Sequence, residues 1–173
     1  KKTYLKFLWN AKMRFGKTLC ALQLAKKMGF KRTLIVTHRP VVDQGWEEDF
    51  NKTFEDCISQ YRYGRKSNDY AEGDFYALQK FANTDGNHYV FFVSMQYLRL
   101  SALVRQNGDH DKLKEDILNN NWDFVVVDEA HEGTQTNLGE KVIQHLSKEK
   151  TRVLHLSGTP FNLYDDFADG EIF

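Results

Sequence analysis

The stretch Ala11-Lys12-Met13-Arg14-Phe15-Gly16-Lys17-Thr18 decides how the rest of the chain is read. Before it, the apolar run from Tyr4 to Trp9 reads as a strand; after it, Leu19 to Met28 reads as a helix. Strand, loop and helix in that order form the setting of a phosphate-binding loop, where backbone N–H groups and the positive end of the helix converge on an anion. Gly16 lets the backbone come close, Lys17 is spaced to reach β- and γ-phosphates, and the Thr18 hydroxyl is placed to coordinate Mg²⁺. The usual pattern opens on glycine; here Ala11 stands in its place, a residue small enough for many such loops. The competing reading is a chance Gly-Lys-Thr at a helix start, and the rest of the chain decides between the two.

A chain of 173 residues is one domain's worth and can bury a full core. With 41% hydrophobic residues, 28% charged residues and only two prolines, it has the composition of an ordinary globular protein. No apolar run approaches the roughly 20 residues needed to span a bilayer. The opening Lys1-Lys2-Thr3-Tyr4 also lacks a signal peptide's apolar region, so the expectation is a cytoplasmic chain without a membrane partner. Cys20 and Cys57 are too few for a disulfide framework or a zinc site and are expected as buried free thiols. A strand almost at the start and a loop at the end suggest a fragment of a longer polypeptide.

Net charge is zero but unevenly spread. Residues 1–42 hold eleven Lys and Arg and no acid, and the remainder holds 24 acids against 13 bases. Such a basic first quarter suits triphosphate and nucleic acid together. For Lys26, Lys27, Lys31 and Arg32 the alternative is simply that cations are favoured at a helix C-terminus.

Farther on, Gly29 is placed to end the first helix in a left-handed cap. Thr33-Leu34-Ile35-Val36-Thr37 is the continuous β-branched run of a strand buried on both faces. Val42, Trp46 and Phe50 then recur at helical spacing. From 51 to 88 the pattern loosens into a possible insertion, with a strand expected over Ile58 to Tyr63 and a helix over Asp74 to Ala82. Its Arg62, Arg65 and Lys66 beside Tyr61 and Tyr63 suit either nucleic-acid binding or a solvated surface. Tyr89 to Ser94 is the next buried strand, and Leu98 to Gln106 and Lys112 to Asn119 read as helices. Phe124-Val125-Val126-Val127 runs directly into Asp128-Glu129-Ala130-His131. Gly139 to Leu146 is helical, and Arg152 to Leu156 is a strand that ends in Ser157-Gly158-Thr159-Pro160. Alternating strands and helices specify an α/β fold: a mostly parallel sheet covered on both faces, with ligands at the strands' C-terminal ends.

Asp128 and Glu129 follow three valines, so a buried strand delivers two carboxylates to that edge. Mg²⁺ beside a triphosphate needs one carboxylate to hold it and a second group to orient or deprotonate the attacking water. By position Asp128 serves the metal and Glu129 the water. Helix capping by Asp-Glu is the alternative, and the Gly16-Lys17-Thr18 loop upstream argues against it.

Taken together, Ala11 to Thr18, Thr33 to Arg39, Ser94-Met95-Gln96, Asp128 to His131 and Ser157-Gly158-Thr159 resemble motifs I, Ia, Ib, II and III of superfamily 2 helicases and translocases, in the family's order. The Asp-Glu-Ala-His and Ser-Gly-Thr-Pro forms are more similar to the motors of restriction endonucleases and DNA-repair translocases than to Asp-Glu-Ala-Asp RNA helicases, and Lys12 to Thr18 and Glu129 to Gly133 resemble restriction-subunit motors. The resemblance implies a RecA-like ATP-binding domain over residues 1–173 that hydrolyses ATP with Mg²⁺ and moves on DNA through its phosphates. It implies a phosphate loop of Ala11, Lys12, Met13, Arg14, Phe15, Gly16, Lys17 and Thr18, with Lys17, Asp128 and Glu129 catalytic and Thr18 and Asp128 on the metal. His131, Ser157 and Thr159 would couple nucleotide state to movement. Thr37, His38, Arg39 and Ser94 would lie on the nucleic-acid surface, although Arg39 taken alone is equally a solvated charge. It also implies a second RecA-like domain that supplies an arginine finger, which nothing after Thr159 can provide, and an attached nuclease or methyltransferase. This chain alone is therefore expected to bind ATP weakly and turn over almost none. The rivals are an RNA helicase, a nucleotide-dependent switch or scaffold that does not translocate, and a small-molecule kinase; the last is disfavoured by the coupling motifs.

Overall fold

The computed structural model describes residues 5–10, 16–38, 42–66, 73–99, 111–128, 137–158, 167, 171 and 172. Strand β1 (Leu5–Asn10) precedes helix α1 (Lys17–Met28), β2 (Arg32–Thr37) and α2 (Asp43–Phe54), which a short 3₁₀ turn (Glu55–Cys57) extends. Then follow β3 (Tyr61–Lys66), α3 (Gly73–Ala82), β4 (His88–Ser94), α4 (Met95–Arg99), α5 (Lys112–Asn119), β5 (Phe124–Asp128), α6 (Asn137–Leu146) and β6 (Arg152–Ser157).

The six strands form one sheet in the order β1-β6-β5-β2-β4-β3, and every pairing is parallel. The expected α/β architecture of the RecA-like type is therefore present. β2, β4 and β5 are the β-branched and aromatic runs singled out above, and their central residues are buried on both faces. Such strands cannot sit at a solvated surface, so the alternation of strand and helix has to place a helical layer on each side.

One layer is α1 and α2. Ala21, Leu22 and Ala25 of α1 join Trp46, Phe50 and Phe54 of α2 against Ile35, Phe92, Val126, Leu154 and Leu156 of the sheet. The other layer is α3 to α6, whose Phe75, Leu98, Ile117 and Leu146 cover Leu34, Val36, Phe91, Val125 and Val127. Each large side chain so buried contributes about 1.5–3 kcal/mol. Among the described residues no helix is long and apolar enough to cross a membrane.

Gly29 does close α1 in the left-handed conformation, φ 65°, with its N–H on Lys26 O at 3.1 Å and Phe30 N–H on Ala25 O at 3.1 Å. The strand expected over Ile58 to Tyr63 lies three residues later. Ile58 is 51% exposed and belongs to the turn after α2. The strand begins only at Tyr61, where pairing with His88 becomes possible. The expected Leu98 to Gln106 helix is described only as α4, and residues 100–110 lie outside the described residues.

Within 51–88, β3 forms an outer edge of the sheet and α3 packs on it. The stretch's aromatic and basic residues are engaged there. Tyr61 stacks on Phe54 (4.1 Å) and His88 (4.6 Å), Arg62 lies over the Phe81 ring (4.1 Å), and Arg65 pairs with Glu47 (3.0 Å). Gly64 lets α3 come close, because a Cβ there would stand 2.4 Å from Leu78 Cδ1 and 3.5 Å from the Phe91 ring. Gly64→Ala is expected to destabilise the fold by about 1–3 kcal/mol through overpacking. Urea denaturation checks this; an unchanged midpoint would mean that α3 does not pack as described.

Candidate nucleotide and metal site at the C-terminal edge

Parallel strands put all their C-terminal ends on one edge, and the register aligns the polar residues there. Asn10 pairs with Ser157, and Thr37 pairs with Asp128 on one side and Ser94 on the other. β6 runs between β1 and β5, so Ser157 lies between the strand that leads to the phosphate loop and the strand that ends in Asp128.

α1 starts at Lys17, two residues earlier than the apolar spacing suggests, directly after Gly16. Gly16 takes φ 77°, ψ 33° as the N-cap, a conformation that costs other residues about 1–2 kcal/mol. It supplies no side-chain cap, and α1 has no acidic residue in its first turn. The first-turn N–H groups have no partner within an α-helix, and this positive end meets no negative side chain of its own turn. Residues 11–15, the body of the expected loop, lie outside the described residues, as do Arg39, Glu129, His131 and Thr159.

Asp128 is only 4% exposed, and its Oδ2 accepts a hydrogen bond from Trp46 Nε1 at 3.2 Å. The Thr18 hydroxyl donates to the Asp49 carboxylate. Trp46 and Asp49 are three residues apart on α2, hence one turn apart on one face, with Cβ atoms about 5–6 Å from each other. The two expected metal ligands are thus both reached from a single helix face. A hydroxyl and a carboxylate are the hard oxygen donors that Mg²⁺ takes. Among the described residues no three His, Cys, Asp or Glu side chains gather into a cage.

The remaining expected residues fall as follows. Thr37 and Ser157 are fully buried, so they support the edge from within. Ser94 is half-buried and its hydroxyl accepts from Tyr97 N–H at 3.1 Å, tying it to the first turn of α4. His38 follows β2 and is half-buried. Lys31 and Arg32 stand at the start of β2, roughly 17 Å of strand away from this edge. Lys26 is held by Asp56 and by Thr53 O at 2.8 Å, and the Asp56 hydrogen bond raises its pKa. These three cations therefore serve the fold or the opposite edge. Cys20 and Cys57 are free thiols, half-buried rather than fully buried.

Taken singly, Trp46 and Asp49 carry no functional signal in the sequence. Trp46 reads as one apolar position of a helix, and Asp49 as one of several acids on its solvated side. Their spacing of three was the available signal, but nothing local tells which strand end that face meets.

The family described as type III restriction enzyme, res subunit, matches residues 9–162. The chain belongs to that family. That membership agrees with the resemblance of its motifs to the motors of superfamily 2 helicases and translocases. A Mycoplasma pneumoniae protein, provisionally named as the C-terminus of a type II restriction enzyme and methyltransferase, is 26% identical over 146 residues. The match covers 83% of this chain and 19% of that protein. Among solved structures, the Sulfolobus solfataricus SWI2/SNF2 ATPase core in complex with double-stranded DNA superposes with TM-score 0.58 at 20% identity over 92% of this chain. The same core domain alone gives 0.55 at 21% identity over 94%. At that identity the likeness shows the fold. The chain spans about a fifth of the curated relative and 29% of each of those two solved chains.

His155, on the strand between β1 and β5, is 4% exposed, and neither ring nitrogen has a hydrogen-bond partner among the described residues. Its ring meets Phe167 edge-on at 5.2 Å. Burial, with help from the nearby Lys6 ammonium, pushes its pKa down to about 3. The folded chain keeps this imidazole neutral while the unfolded chain protonates it near pH 6.5, so stability is full above that pH and falls below it. From pH 7 to pH 5 the loss expected from this residue is about 2 kcal/mol. Denaturant titrations of wild type and His155→Leu check this: the variant's stability should fall by less over that range. Equal slopes would contradict a neutral buried imidazole.

Proposed function

We propose that this domain binds Mg²⁺·ATP at the C-terminal edge and, within the full-length protein, hydrolyses it to drive movement along DNA as the motor of a restriction enzyme. The observation that carries the reading is the convergence on one edge of the uncapped start of α1, with Gly16, Lys17 and Thr18, and the buried carboxylate of Asp128. Family membership and the fold support it.

The chemistry follows from the residue types and their order in the chain. First-turn N–H groups of α1 cradle the β-phosphate, while Lys17 places its ammonium on the β- and γ-oxygens. Thr18 and Asp128 would contribute the protein oxygens for Mg²⁺, whose chemistry there would be to neutralise phosphate charge. Glu129 follows Asp128 and orients or deprotonates the attacking water. His131, Ser157 and Thr159 pass the change at the γ-phosphate to the nucleic-acid surface. That surface runs over His38, Arg39 and Ser94 and meets phosphates rather than base edges, so this domain adds little sequence preference. A second RecA-like domain brings an arginine finger, worth about 10³ to 10⁵ in turnover in related enzymes. A nuclease or methyltransferase module completes the restriction activity.

The test is ATP turnover by the full-length protein with duplex DNA, single-stranded DNA, RNA or no nucleic acid. Duplex DNA is expected to stimulate turnover, and Lys17→Ala to reduce it by roughly 10² or more, as for loss of one preorganised transition-state donor. Stimulation by RNA alone would mark an RNA helicase. Turnover indifferent to nucleic acid would mark a switch and overturn the translocase reading.

A further inference from the structure

Helix α2 carries two contacts that packing alone does not require. Trp46 is fully buried, and its indole N–H could have met a backbone carbonyl, as Trp122 Nε1 meets Ile117 O at 2.9 Å. It donates instead to the Asp128 carboxylate. One turn on, the Asp49 carboxylate accepts a hydrogen bond from the Thr18 hydroxyl. Both of the chain's candidate Mg²⁺ ligands among the described residues are therefore addressed by the same helix.

We propose that Trp46 and Asp49 are positioning residues of the metal site, Trp46 fixing the rotation of the Asp128 carboxylate and Asp49 fixing the rotor of the Thr18 hydroxyl. This rests on the nucleotide reading given above. The lone-pair count favours it. A carboxylate offers about four acceptor positions, and the Trp46 N–H takes one of them on Oδ2. A hydroxyl that donates its only proton to Asp49 keeps both lone pairs directed away from that bond, where a cation can use them. Each contact thus orients its ligand without consuming it. Asp49 also adds a negative charge beside the cation's seat, partly offset by Lys52 at 3.9 Å.

The experiment titrates Mg²⁺ into the full-length protein with a ribose-labelled fluorescent ATP, and measures its affinity again in EDTA. Trp46→Phe keeps the aromatic packing and loses the N–H; Asp49→Ala alters a partly exposed position. Both are expected to raise the Mg²⁺ concentration for half-maximal binding roughly tenfold, the scale for losing an outer-shell partner of a metal ligand. Affinity in EDTA should stay within twofold, and Asp49→Asn, which keeps an acceptor oxygen, should shift less than Asp49→Ala. Half-saturation within twofold of wild type in both variants would overturn the proposal. An equal loss in EDTA would overturn it as well, since it would mark general damage. If wild type binds the nucleotide with no response to Mg²⁺, or not at all, the nucleotide reading itself falls and this inference with it.

Discussion

The parallel direction of all six strands is the constraint on which the rest depends. An antiparallel sheet divides its strand ends between two edges, but here every strand delivers its last residue to the same one. Each return path must then cross a face of the sheet, and helices are the economical way to satisfy a buried backbone over that distance. The strands are consequently sealed on both sides, and the apolar runs of β2, β4 and β5 are the composition such strands require. Polar residues have little place within those runs. They gather where the runs end: Asn10, Thr37, Ser94, Asp128 and Ser157.

Strand order refines this. β6 separates β1 from β5, so a site between the phosphate loop and Asp128 spans three strands with Ser157 at its middle. His155, two residues earlier on that strand, is buried between the same neighbours, Leu8 and Val127. An uncharged imidazole at that position lets β6 remain a core strand while carrying a polar terminus. The described cations of the basic first quarter, by contrast, do not gather in one patch. Lys26 is bound to the C-terminal part of α2 and the turn after it, and Lys31 and Arg32 go to the far edge, leaving Lys17 as the described cation of that segment at the start of α1.

Much of this was legible in the sequence, because buried parallel strands and the loop after the first of them are local patterns. Phe124 to Asp128 announces both a strand and its functional end within five residues, and Gly29 announces a helix stop. What was not legible depends on partners far away in the chain. The start of β3 is set by pairing with β4, so Ile58 passes for a strand residue although it stands in a turn. The strand order cannot be inferred from the alternation of elements, since right-handed crossovers permit several orders. Trp46 and Asp49 acquire their meaning only once α2 is laid beside Asp128 and Thr18, 82 and 31 positions away. Residues such as these look like core and surface until the tertiary neighbour is known.

The account turns on one edge of the sheet being the nucleotide site. Hydrogen–deuterium exchange on the full-length protein, with and without Mg²⁺ and a non-hydrolysable ATP analogue, tests it most directly. Slower exchange is expected in the phosphate loop, in the first turn of α1 and just after Asp128, with the opposite edge around Lys31 and Asn120 unchanged. Protection at that opposite edge, or none at the start of α1, would contradict it.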